Sequence, residues 1–341
     1  MPYIILTLLL YICNFAHAFG HTEKSNDYTK KTTIISALKT NHNIDLTSDT
    51  NTQINQIIKE INSSNASNFS NKIIFLNNIF LNRPYQFSAL GEGANGEFDQ
   101  SPLYRTDAFD CETYVDTILA LALSKDLNSF KNNIQKIRYK DGEISFLKRN
   151  HFTCIDWNKN NQQQAFVKDI TNTILNKQNK SIALIAKADI DKANWYKNIS
   201  ANRIYLPNSS TKERSLKLKI LRNSGNKLQK SLSEISYIPF KAFFNKNNKP
   251  NMQLIKQIPN GSIMEIVRPN WELRKKIGTD LIISHLGFVI WENNQPFFVH
   301  ASSEMQKVVK VSLIDYLLNS KKNNKNNGVN IQIICEKITN A

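Results

Sequence analysis

The sequence predicts an α+β fold, and three features carry that reading. Apolar residues recur at helical spacing through residues 51–80. A second amphipathic run begins at Cys111, directly after an aspartate suited to cap a helix. From residue 261 onward the chain turns to runs rich in Val, Ile, Phe and Trp with a turn between two of them. Helices first and antiparallel strands after is the order of a segregated α+β domain rather than of alternating βαβ units. With 341 residues, 41% of them hydrophobic, the chain has ample length to bury a core.

Taken in order, "MPYIILTLLLYICNFAHA" is an apolar stretch ending in Ala16-His17-Ala18, which reads as a secretory signal cleaved after residue 18, although it lacks Lys and Arg at its start. It falls short of the roughly 20 apolar residues of a membrane span, and no later run reaches that length. Ile12 precedes Cys13 where a lipoprotein box needs a small residue. The expectation is an exported chain, periplasmic or secreted, with no stable membrane insertion after cleavage. Residues 19–68 read as a partly helical extension. Ile54, Ile57, Ile58 and Ile61 mark one helix and "NKIIFLNNIFL" a second. A Gly- and Pro-containing loop leads to Asp110, and Val115, Ile118, Leu119 and Ala122 stripe a helix over 111–124. Residues 160–179 read as a further helix and "KSIALIAKA" as a strand. Residues 187–233 read as basic with helical stretches and no motif. "GSIMEIVRP", "DLIISHLGFVIW", "PFFVHASS" and, after the low-complexity "KKNNKNNG", "VNIQIICEKI" read as strands.

The net charge is +16, carried mainly by lysine. These lysines are dispersed through Asn-rich loops such as "NKNNQQQ", the pattern of drift in an A/T-rich genome rather than of a nucleic-acid-binding stripe. Such a charge is compatible with an anionic envelope polymer, and no nucleic-acid partner is expected. If Cys13 leaves with the signal, Cys111, Cys154 and Cys335 remain, an odd number that leaves at least one thiol in an oxidising compartment. Cys154 and Cys335 are candidates to pair, with connectivity open. CxxC spacing is absent, so no zinc ribbon is indicated, and no metal or cofactor is expected.

Cys111 stands at the first position of its helix, where unpaired N–H groups and the helix dipole favour a thiolate. The alternative is a core cysteine. Of six histidines, His285 and His300 lie in adjoining strand-like runs. If Asn293-Asn294 forms a two-residue type I′ turn, Glu292 pairs with Gln295, His300 faces Gly287, and His285 sits one diagonal step away on the same face. A register shifted by one residue would separate the two rings. A buried, hydrogen-bonded histidine in a sheet is the plainer alternative for either residue.

"DCETYVDTILALA", "SHLGFVI" and "VHASS", in this order, resemble the NlpC-type papain-like cysteine hydrolases of bacterial cell walls. "NRPYQF" resembles their Pro-Tyr loop, and "IRYKDGEISFLKRNHFTCIDW" is similar to a stretch of the N-acetylmuramoyl-L-alanine amidase-like branch. The resemblance implies a papain-like core over residues 69–341, with the Cys-bearing helix packed on an antiparallel sheet and an insertion at about 187–250. It implies Cys111 as nucleophile, His285 as general base and His300 as the residue orienting that base, with Tyr85 in the substrate cleft. Asp110, Arg149, His151, Asp156 and Trp157 are the further candidates for binding, Arg149 through a substrate carboxylate and Trp157 through a sugar face. For Arg149, His151, Asp156 and Trp157 a salt-bridged loop around a core Trp is the alternative. Asn82-Arg83 stand where a glycine is usual, and Glu112-Thr113 replace the usual Ser-Gly. The implied activity is hydrolysis of a peptidoglycan amide, N-acetylmuramoyl-L-alanine foremost. A stem-peptide endopeptidase, a zinc site of Cys111, His285 and His300, and a non-catalytic wall-binding module are the alternatives.

Overall fold

The computed structural model describes residues 47–63, 69–322 and 328–336. The signal-like segment, Cys13, His17, His21, His42 and most of the "KKNNKNNG" loop lie outside these residues. Among the described residues no helix is long and apolar enough to cross a membrane.

The two helices expected within 51–80 are α1 (Thr50–Ser63) and α2 (Phe69–Ile79), and the isoleucine stripe of α1 is buried as its spacing requires. Next come α3 (Cys111–Ala122) and α4 (Leu127–Arg138), both opened by an aspartate cap. These four helices pack together on one face of the sheet, against Leu286, Phe288, Ile290, Val299 and Ala301. The sheet contains β1 (Val167–Asp169), β2 (Leu184–Asp191), β3 (Lys230–Pro239), β4 (Ser262–Trp271), β5 (Leu281–Glu292), β6 (Gln295–Ser302), β7 (Lys307–Ser312) and β8 (Gly328–Ile334). Its order is β2-β3-β8-β4-β5-β6-β7, with β1 beside β8, and every pairing is antiparallel. The fold is therefore α+β with an antiparallel sheet. The opposite face, carrying Met264, Ile266, Val289 and Phe298, is covered by Phe240, Phe243 and a last helix whose buried residues are Leu313 and Leu317.

One expectation is corrected. Residues 160–179 are not one helix: a short α5 (Asn158–Gln163) ends at Ala165, whose φ of 54° breaks the run, and β1 follows. Phe166, Ile170 and Ile174 mimic helical spacing, but β3 pairs with β8 only at residues 328 and 329. The remaining backbone groups on that edge of β8 need partners, and β1 supplies them at Gln332, Ile333 and Ile334. Residues 187–233 carry the expected helical stretches, and two paired strands flank them. Eight cross-strand pairs, from Leu184↔Tyr237 to Asp191↔Lys230, join β2 to β3. Between these strands lie α6 (Lys192–Lys197) and α7 (Thr211–Ser224).

Candidate active site

The backbone at Asp110 is extended, and its side chain turns the chain into α3. Asp110 Oδ1 accepts a hydrogen bond from the Thr113 backbone N–H at 2.8 Å, and Thr113 Oγ1 accepts one from the Asp110 N–H at 2.9 Å. This reciprocal capping box makes Cys111 the first residue of the helix. Cys111 is 3% exposed and lines a cavity that His285 also lines. All three described cysteines, Cys111, Cys154 and Cys335, are thiols, so no disulfide joins Cys154 to Cys335.

The histidines meet across a hairpin. Asn293 and Asn294 have φ of 49° and 62°, as a two-residue primed turn requires, and Glu292 pairs with Gln295. On the other side, β4 pairs Ile266 with His285 but Val267 with Ile283, so Ser284 is bulged out immediately before the histidine. Such bulges re-aim the neighbouring side chain. His285 Nε2 and His300 Nδ1 are 2.7 Å apart, with the rings edge to face. Phe298 stacks on His300 at 4.7 Å between centroids, and Tyr316, from α8 (Leu313–Lys322), touches both rings. Gly287 is required here: a Cβ would lie 2.6 Å from the Val299 carbonyl oxygen and 2.7 Å from the His300 Cβ.

Burial pulls His285 down to about 4 and holds His300 well below the ordinary imidazole range, the second ring's charge adding to the effect. Near neutral pH both rings are therefore neutral, and one proton is shared along their hydrogen bond. When His285 Nε2 donates it, His285 Nδ1 carries the lone pair that can take another proton. Burial, with the charges of Cys111 and Glu304 adding, pushes the Tyr316 hydroxyl up. Tyr316 thus lies within electrostatic reach of the cysteine and in ring contact with His300. Among the described residues no group of three or more His, Cys, Asp or Glu is arranged to hold a metal.

Residues 76–325 match the model of the AmiA-like family, described as N-acetylmuramoyl-L-alanine amidase-like. The chain belongs to that family. Among solved structures, this AmiA-like chain is similar to protein LPG0564 of Legionella pneumophila, described by the family model DUF1460. The two are 45% identical with a TM-score of 0.81, over 84% of this chain and 94% of that one. It is also similar, at 25% identity and a TM-score of 0.53, to an N-acetylmuramoyl-L-alanine amidase of Bacteroides uniformis, over 78% of this chain and 99% of that one. Comparison with curated proteins finds no match.

The other candidate residues of the AmiA-like chain divide. Tyr85 pairs through its backbone with Phe109, two residues before the cysteine, and its N–H donates to the Gln306 carbonyl. Arg149 is buried between Glu92 and Asp99, whose charges hold its proton more tightly than usual. Both ion pairs run through Nη2, Nε has no hydrogen-bond partner among the described residues, and Arg149 also lines the cavity. His151 lines the cavity, hydrogen-bonded to the Phe146 carbonyl at 2.7 Å and packed between Phe146 and Trp195. Burial and neighbouring cations keep it neutral. Asp156 is paired with Lys192. Trp157 is fully buried and its Nε1 donates to Asp116 Oδ1 at 2.7 Å, so it presents no face to a ligand. Phe87, the last residue of "NRPYQF", lines the cavity, and so do Trp195 and Arg203, which carry no sequence signal. These two come from the region without a motif, where Trp195 packs on Phe152 and Arg203 on Phe87.

Proposed function

We propose that this chain is an exported cysteine hydrolase that cleaves the amide between N-acetylmuramic acid and L-alanine in peptidoglycan, on an NlpC-type papain-like core spanning residues 69–341. Residues 187–250 elaborate that core, and the site of action is periplasmic or extracellular. The observation that carries the reading is the His285–His300 bond across β5 and β6, with Cys111 and His285 lining one cavity.

In this reading His285 Nδ1 takes the proton of the Cys111 thiol as sulfur attacks the amide carbonyl. Backbone N–H groups at the start of α3 stabilise the oxyanion, and their alignment is fixed by the Asp110 cap. The imidazolium then delivers its proton to the leaving nitrogen of L-alanine. Water, deprotonated by the same ring, releases the muramoyl acid from sulfur. His300 keeps Nε2 of His285 engaged, so the reactive nitrogen is Nδ1 throughout. The family membership and the resemblance to the Bacteroides uniformis amidase support this choice of bond.

The test is mass spectrometry of purified muropeptides after incubation with the wild type and with Cys111→Ser. The wild type should release free stem peptide with an L-alanine amino terminus, and Cys111→Ser should lose at least about a thousandfold in rate, because a hydroxyl lacks the acidity of a thiol. Products cut within the stem peptide would reassign the enzyme as an endopeptidase. Undiminished cleavage by Cys111→Ser would remove the cysteine from the chemistry.

A further inference from the structure

We propose that Arg203 recognises a carboxylate on the peptide side of the substrate and thereby sets which way the scissile amide lies across Cys111. The inference rests on the muramoyl-peptide reading above. Arg203 ends a single helical turn, Ala201–Arg203, in the chain between β2 and β3, and it lines the same cavity as Cys111 and His285. Its guanidinium carbon lies 5.2 Å from the centroid of the Phe87 ring, and Nη1 is 3.4 Å from Ser88 Oγ. Ser88 is held at φ 55°, a left-handed backbone that a non-glycine residue adopts at a cost. The cation–π contact holds the guanidinium over the Phe87 ring, and a planar guanidinium is the side chain whose fork docks a carboxylate with two parallel hydrogen bonds.

The chemistry of the substrate then decides what such a cation reads. In a muramoyl peptide the lactyl carboxyl is consumed in the amide, and N-acetylmuramic acid carries no other acid. Every remaining carboxylate belongs to the peptide, beginning with glutamate beside L-alanine. A carboxylate held at Arg203 therefore points the peptide toward the wall between β2 and β3 and sends the sugar the opposite way.

The experiment measures kcat and KM for N-acetylmuramoyl-L-alanyl-D-glutamate and for the analogue with both carboxylates converted to carboxamides. The wild type should favour the diacid at least tenfold in kcat/KM. Arg203→Gln should lose that preference by slowing the diacid alone, with the diamide changed less than twofold. Arg203→Lys, which keeps the charge but not the fork, should fall between. Equal losses on both substrates, or no preference in the wild type, would overturn the proposal. If the wild type cleaves neither compound, the amidase reading fails on its own. Calorimetric binding of L-alanyl-D-glutamate then judges Arg203: tenfold weaker binding by Arg203→Gln supports it, and equal affinity overturns it.

Discussion

At the scale of single residues, the two histidines should differ in what their loss costs. In the proposed mechanism, removing His285 eliminates proton transfer at attack and at departure, whereas removing His300 leaves a ring that is misoriented or in the wrong tautomer. His285→Ala should match Cys111→Ser in severity, while His300→Asn, which can still accept from His285 Nε2, should retain activity at least tenfold above it. Single-turnover rates of the three variants check this, and equal loss in both histidine variants would assign His300 a direct part in proton transfer. This pair was legible before any coordinates because Asn-Asn dictates the register and the register dictates the face. Trp157 was not legible in the same way. Its orientation is decided by Asp116, 41 positions earlier on α3, and a tryptophan seeking a partner for its N–H looks the same in sequence as one offering a face to sugar.

At the scale of elements, α3 carries the sulfur proposed as nucleophile, and its first turn is capped by one side chain. Asp110→Ala removes the carboxylate that accepts the Thr113 N–H, leaving only the bond from the backbone N–H of residue 110 to Thr113 Oγ1, and should cost about 1 kcal/mol of stability. It also loosens the N–H groups that favour a thiolate and hold an oxyanion. Iodoacetamide alkylation of Cys111 followed against pH should therefore titrate at higher pH in Asp110→Ala than in the wild type. An unchanged profile would mean that the helix start contributes nothing to the thiol's reactivity. The helices and the C-terminal strands could be read from periodicity and turn chemistry because their signals are local. The strand β2 was legible in its first half as "KSIALIAKA", but β1 and β3 were not, since their reason for being strands is the edge of β8 and of β2, far away along the chain.

At the scale of the whole molecule, buried ionisable groups tie stability to pH with opposite signs. His285 falls from an ordinary value of 6.5 to about 4, so between those values the unfolded chain binds more protons. Its contribution is complete above pH 6.5 and is lost as pH drops toward 4, at most about 3 kcal/mol at 1.36 kcal/mol per unit. Burial raises Glu265 from 4.5 to about 8, and that contribution is full below pH 4.5 and is lost as pH climbs to 8. Comparing the wild type with His285→Asn isolates the first effect: their difference in melting temperature should shift in the variant's favour on going from pH 7 to pH 4. Parallel curves would show that the histidine is not penalised by its surroundings. The position of β8 has a consequence of another kind. The strand encoded last lies between β3 and β4, where it buries Asn330 and Gln332. Until residues 328–334 emerge, the two halves of the sheet have no shared neighbour, and each presents an open edge. Biogenesis thus closes the sheet at its centre last, and a polypeptide interrupted before Gly328 would present two open-edged half-sheets rather than a slightly shortened version of the same fold.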